Sequence, residues 1–189
     1  MNNKSLSDLF YILLEYLISK SKFLSSIYIK LYKYQTKNEI ILGDIHQTDK
    51  VLLIGCGSIP ASAILLLNFS NCKITAIDND KIAIENAVKL LIKYGMYKSI
   101  NVIFEKGEDI DINNFDVIII SKGISDKEEI LNNMACSINY NTKIIVRVNI
   151  TKEKEKIIDT MNKLNFYYNG YSTNFSGNSN SILFTKKYN

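Results

Sequence analysis

The chain's 189 residues, 47% of them hydrophobic, are enough for one well-filled domain and short for two. Its net charge of +4 arises from lysines scattered among carboxylates, and Arg147 is the single arginine, which argues against a nucleic-acid partner. Cys56, Cys72 and Cys136 lie far apart and His46 is the one histidine, so neither a disulfide framework nor a metal site is expected.

The first apolar stretch, residues 9–18, is interrupted by Glu15, is too short to span a membrane and lacks a small-residue cleavage signature. The expectation is a cytoplasmic protein with no membrane association. Apolar residues then recur at helical spacing (Leu6, Leu9, Phe10, Leu13, Leu14, Leu17, Ile18, and again Phe23, Leu24, Ile27, Tyr28, Leu31, Tyr32), which predicts two amphipathic helices broken near residues 19–21. Apolar residues on more than one face leave two roles open for these helices, covering the core or contacting a partner such as a second copy of the chain. From residue 50 onward, strands are expected near 51–54, 73–77, 101–105, 115–121 and 143–149, alternating with helices near 60–69, 80–94, 125–137 and 151–164. Such alternation implies right-handed crossovers and a parallel sheet covered on both faces. The runs 166–172 and 181–185 have only a polar loop between them, so they are expected to pair antiparallel at one end of the sheet. Residues 1–47 read as a short helical extension and residues 48–189 as the α/β domain.

Within that domain the segment 51–60, VLLIGCGSIP, runs from an apolar strand into a Gly-x-Gly turn and on to a helix, and Asp78 ends the next strand. Gly55 and Gly57 let the backbone approach a ligand, and a carboxylate at the neighbouring strand tip is placed to accept hydrogen bonds from ribose hydroxyls. A dinucleotide fingerprint requires glycine at position 60, where this chain has Pro60. Proline fits the first turn of a helix but has no N–H to offer a pyrophosphate, so NAD is disfavoured and S-adenosylmethionine, which carries no phosphate, fits better. The fold class is accordingly a Rossmann-like methyltransferase fold, with S-adenosylmethionine bound beyond the carboxyl ends of the strands. Gly55, Cys56 and Gly57 are expected against the amino-acid half of that molecule, and Asp78 with Asn79 against its ribose. Glu108 or Asp109 is placed to meet the adenine, or to favour the N-terminus of a following helix. Ser121 closes the fourth strand, where an Asn/Asp-Pro-Pro-aromatic signature for base amino-methylation is absent.

The GCGSIP loop resembles that of nicotianamine synthases, which share Gly-x-Gly-x-aliphatic-Pro and also lack the acidic residue that most methyltransferases carry two positions before the first glycine, here Leu53. Upstream, Tyr28, Tyr32 and the segment Asn38-Glu39-Ile40-Ile41-Leu42-Gly43 are similar to the tyrosine-bearing helix and the Asn-Glu-x-x-Leu-Gly segment of that family's archaeal members. Downstream, Arg147 on the fifth strand and the closing Gly177-Asn178-Ser179-Asn180-Ser181 resemble the family's arginine-bearing strand and Asn-Ser-rich hairpin. The resemblance covers roughly residues 27–187.

What the resemblance implies is transfer of the 3-amino-3-carboxypropyl arm of S-adenosylmethionine to an amine or amino-acid acceptor, releasing methylthioadenosine and building a nicotianamine-like metallophore. Glu39 matches the residue thought to take the proton from the amine. Read from the residues instead, Thr36-x-x-Glu39 is a helix capping box. Tyr28 and Tyr32 are candidates to line a substrate cavity or to serve as core, and Arg147 is a candidate carboxylate ligand or a surface residue. Ahead of the sheet, the helical region is shorter than the family's, which leaves the acceptor open. A small-molecule methyltransferase and a cofactor-binding protein without turnover are the other two function classes.

Overall fold

The computed structural model describes residues 6–149, 152–177 and 179–187, without the side chains of residues 6–12 and of Lys152; the expected apolar side chains of Leu6, Leu9 and Phe10, and residue Asn178, therefore lie outside what is described. Seven strands form one sheet in the order β3-β2-β1-β4-β5-β7-β6. β1 (Lys50–Ile54) lies between β2 (Lys73–Asp78) and β4 (Val117–Ile120), parallel to both. β3 (Ile100–Phe104) extends the parallel set beyond β2, and β5 (Lys143–Asn149) extends it beyond β4. β7 (Ser179–Lys186) inserts antiparallel between β5 and β6 (Phe166–Thr173). The expected five parallel strands with an antiparallel pair at one end are therefore present.

Successive strand residues point to opposite faces, so the β-branched runs feed two cores. Val51, Leu53, Ile74, Ala76, Val117, Ile119 and Ile145 face α4 (Ala61–Ser70) and α5 (Lys81–Tyr94). Leu52, Ile54, Ile118, Ile120, Ile144 and Val146 face α6 (Lys127–Ala135) and α7 (Lys152–Lys163). Helix ends follow local chemistry. Asp80 caps α5 by accepting from the Ile82 and Ala83 N–H groups, and Gly95 ends it in the left-handed region at φ 71°.

The N-terminal region departs from expectation in one respect. α1 (Leu6–Ser19) and α2 (Lys22–Leu31) break where predicted, but a third helix, α3 (Lys33–Gly43), follows through Tyr32. Thr36 lies inside α3 rather than at its start, so the Thr36–Glu39 capping box does not form. Hydrophobic periodicity misses α3 because the residues it buries, Gln35, Thr36 and Glu39, are polar. α3 is held on the sheet by Lys143, whose Nζ donates to the Gly43 carbonyl at 2.7 Å, and by Asn38, whose Nδ2 donates to the Thr173 carbonyl at 3.2 Å.

β7 carries the second core through Ile182 and Phe184, both 0% exposed. Phe184→Ala is expected to lower stability by about 3–5 kcal/mol, the usual range for truncating a buried phenylalanine. Urea unfolding measures this, and a loss below about 1 kcal/mol would show that the antiparallel pair is not integral to the core.

Candidate functional site

The site begins where β1 ends. Gly55 (φ 81°) and Gly57 (φ 67°) both adopt left-handed backbone, which turns the chain sharply into α4. A Cβ on Gly55 would stand 2.7 Å from Ile124 Cδ1, and one on Gly57 would stand 2.6 Å from Glu15 Oε2. Four consecutive backbone N–H groups of the turn are engaged. Those of Gly55 and Cys56 donate to the Ile77 carbonyl at 2.9 and 3.0 Å. Gly57 N–H donates to Asp78 Oδ2 at 2.8 Å, and Ser58 N–H to Glu15 Oε2 at 3.3 Å.

Asp78 thus stands at the tip of β2 against the glycine turn, and its Oδ1 accepts from Asp80 N–H at 3.0 Å. The cap of α5 is Asp80, so Asp78 has no capping role there. Asn79 beside it is exposed. Cys56 is buried, and burial together with the nearby Asp78 charge pushes its thiol well above the ordinary range, so a reactive thiolate is not formed there.

Two other strand ends close on the same place. Ser121 N–H donates to the Ile54 carbonyl at 3.0 Å, and its Cβ lies 3.2 Å from the position a Gly55 Cβ would take. Gly107 is buried, with Ile54 and Ile130 within 2.9 Å of where its Cβ would be, which draws the loop after β3 onto the end of β1. In that loop Glu108 is half-buried, with Lys106 Nζ 3.9 Å from its Oε1, and Asp109 is exposed. β1 and β4 are the pair between which the strand order reverses, where ligands of such sheets bind. A depression lined by Lys50, Asp116 and Thr142 lies at the opposite end of these strands.

Beside the turn is a buried polar cluster drawn from four elements. Arg147 on β5 is 4% exposed and Glu39 on α3 is 0% exposed. The pair is bidentate: Arg147 Nε donates to Glu39 Oε1 and Nη2 to Oε2, each at 2.7 Å. Arg147 Nη2 also donates to Ser62 Oγ on α4 at 2.9 Å. Glu39 Oε1 further accepts from Ser181 Oγ on β7 at 2.5 Å and from Gln35 Nε2 at 3.2 Å. Burial works against the Arg147 charge, and the Glu39 carboxylate more than restores it, so the guanidinium holds its proton more firmly than a free one. Arg147 is therefore not a surface arginine, and its fork is already filled by Glu39 and Ser62. The Thr36 hydroxyl, buried one turn before Glu39, has no hydrogen-bond partner among the described residues.

Tyr28 and Tyr32 lie between the cluster and the turn. Their hydroxyls are 3.1 Å apart, and Tyr28 OH donates to Glu15 Oε1 at 2.5 Å. Burial, with Tyr32 and Glu15 adding to it, pushes the Tyr28 phenol far above its ordinary range, so it stays a neutral phenol; with its one proton given to Glu15, its oxygen accepts from Tyr32 OH. A continuous polar chain thus runs from Ser58 through Glu15 and Tyr28 to Tyr32. Sequence reading missed Glu15, Gln35, Ser62 and Ser181. For Glu15 a signal existed, a lone carboxylate inside an apolar helical stretch; small hydroxyl residues such as Ser62 and Ser181 give none.

No family model matches the chain. A crystal structure of a glutamate-to-glutamine mutant of MtNAS, a nicotianamine synthase, superposes with a TM-score of 0.78, covering 96% of this chain and 71% of that one at 23% identity. MtNAS in complex with S-adenosylmethionine superposes at 0.74, covering 91% and 70% at 22% identity. A candidate S-adenosyl-L-methionine-dependent methyltransferase from Methanococcus maripaludis superposes at 0.76, covering 100% and 98% at 16% identity. Among curated proteins, L-histidine 2-aminobutanoyltransferase of Yersinia pestis is 26% identical over 120 residues, 64% of this chain and 45% of that protein, so the match spans less than half of the relative's length. These likenesses show a Rossmann-like methyltransferase fold, of the kind that the resemblance to nicotianamine synthases implies.

The buried pair carries a stability prediction. Arg147→Met strands the Glu39 charge and is expected to cost about 3–5 kcal/mol, whereas the double variant Glu39→Leu/Arg147→Met is expected to recover most of that loss. Denaturant unfolding of the singles and the double closes the cycle. A double variant as unstable as the sum of the singles would contradict the ion pair.

Proposed function

We propose that the chain is an S-adenosylmethionine-dependent transferase that moves the 3-amino-3-carboxypropyl group to an amine acceptor, giving a nicotianamine-like metallophore. The observation that carries this reading is that the buried Glu39–Arg147–Ser181 cluster reaches, through the Arg147–Ser62 bond, the start of the helix that follows the Gly55–Gly57 turn, against which Asp78 stands. The residues present suit the donor: Asp78 at the tip of β2 is an acceptor for ribose hydroxyls, and Pro60 removes the N–H a pyrophosphate would need. Glu108 or Asp109 is the candidate adenine contact, and Ser121 stands beside Gly55 at the end of β4.

When bound, the donor supplies a sulfonium that activates three attached carbons, and the carbon facing the nucleophile decides the product. On the protein's side, the Thr36 hydroxyl orients polar groups of the acceptor, Arg147 holds the Glu39 carboxylate in place through its two bonds, and Tyr28 and Tyr32 flank the acceptor. Glu39 takes the amine's proton once the acceptor displaces the Ser181 or Gln35 donor from its Oε1. The acceptor nitrogen bonds to the γ-carbon, the carbon–sulfur bond breaks, and methylthioadenosine leaves with the bonding pair on sulfur. The name of the Yersinia relative makes histidine the first acceptor to try. A second reading, methyl transfer to a small molecule, is supported by the near-complete coverage of both chains in the Methanococcus superposition. Among the described residues no helix is long and apolar enough to cross a membrane, and we place the protein in the cytoplasm as a proposal.

Incubation with S-adenosylmethionine and candidate amines, followed by mass spectrometry, is expected to yield methylthioadenosine; accumulation of S-adenosylhomocysteine would move the protein to the methyltransferases. Glu39→Gln is expected to keep donor affinity while slowing turnover about 10²–10⁴-fold, the size of a general-base contribution. Full turnover in folded Glu39→Gln would leave Glu39 with a purely structural role. Asp78→Ala is expected to weaken donor binding by about 1.5–3 kcal/mol in calorimetric titration, with the fold retained at a lowered melting temperature because the Gly57 and Asp80 N–H groups lose their acceptor. Normal binding by the folded variant would remove Asp78 from the site.

A further inference from the structure

One carboxylate at the glycine turn has no part in the chemistry above. Glu15 reaches the turn from α1, and its Oε2 occupies the space that the missing side chain of Gly57 leaves, 2.6 Å from where a Cβ would stand. Its two oxygens are held differently: Oε1 accepts a short 2.5 Å bond from Tyr28 OH, while Oε2 accepts only a long 3.3 Å bond from Ser58 N–H. Asp78 meets the same glycine, its Oδ2 accepting from Gly57 N–H at 2.8 Å. Among the described residues no lysine, arginine or histidine forms an ion pair with Glu15. β1 itself supplies no charge here, since Leu52, Leu53 and Ile54 are buried in the core.

Two carboxylates facing one backbone turn create a negative field that repels an anion and attracts a cation. We infer that Glu15 is a recognition residue for the α-ammonium group of the donor's amino-acid arm, bound through Oε2 in place of the long Ser58 bond. This rests on the donor reading above and adds to it a device for distinguishing the charged donor from the neutral nucleoside left after transfer. Burial raises the Glu15 carboxyl above its ordinary range and the Asp78 charge adds to this, while the bonds from Tyr28 and Ser58 oppose it. An ammonium at Oε2 offsets both raising effects, so the site gains from a cation what it loses by burial. Methylthioadenosine lacks the ammonium and gains nothing from Glu15, so the spent nucleoside is held less firmly than the donor.

Calorimetric titration of wild-type protein and Glu15→Gln with S-adenosylmethionine and with methylthioadenosine tests this. The variant is expected to bind S-adenosylmethionine about 10–100-fold more weakly, the size of a lost charge-assisted hydrogen bond, and methylthioadenosine within about two-fold of wild type. Equal losses for both ligands, or no loss for either, would make Glu15 a structural residue, and tighter S-adenosylmethionine binding would make it a plug that the donor must displace. Each of these overturns the inference and leaves the donor site standing. Wild-type protein that binds neither ligand sinks the donor site itself. If Glu15→Gln does not fold, Glu15→Asp carries the test: its retracted carboxylate is expected to lower the ratio of the two affinities several-fold, and an unchanged ratio overturns the inference.

Discussion

A buried guanidinium governs how this chain is assembled. Arg147 points from β5 into a face otherwise lined by Ile145, Leu53 and Ile119, and an unpaired charge there would cost several kcal/mol. Glu39 answers it with two 2.7 Å bonds, and to do so α3 must lie across β5 and β7. Ser62 at the start of α4 and Ser181 on β7 complete the shell, so four elements distant in sequence converge on one ion pair. Such a pair is weak evidence for net stability, because desolvation offsets most of its Coulomb energy. Its contribution is placement. It fixes α3 on β5 and β7, while Glu15, Tyr28 and Tyr32 form a separate polar chain at the glycine turn.

The turn depends on a different constraint, the accounting of backbone N–H groups. Left-handed backbone at Gly55 and Gly57 points four successive N–H groups at β2 and α1, and each finds an acceptor. Asp78 accepts from the turn and from Asp80, so its position is set by the protein before any ligand arrives. A preorganised carboxylate loses little entropy on binding, which is the physical reason such strand tips serve as ribose sites.

The central sheet was legible because its signals are local. Continuous β-branched runs bounded by glycine or polar turns marked β1, β2, β3 and β5 to within about a residue, while Phe115 and Asp116 made β4 look longer than the four residues that pair. The glycine turn and Asp78 were legible for the same reason. α3 was not, since its inward face is Gln35, Thr36 and Glu39, and a polar face gives no hydrophobic period. The pairing of Glu39 with Arg147, 108 positions apart, has no local signature at all. Both residues were named as site candidates from resemblance, but their mutual contact, and the place of Glu15 under Gly57, follow only from the three-dimensional packing.

The account turns on which carbon of a bound S-adenosylmethionine faces the Glu39–Arg147 cluster. A crystal structure of the protein with S-adenosylmethionine decides it most directly. The expected result is ribose hydroxyls on Asp78, the amino-acid arm along Gly55–Ser58, and the γ-carbon turned toward Tyr28, Tyr32 and Glu39. A donor bound with its methyl group toward those residues, or bound away from the glycine turn, would contradict it.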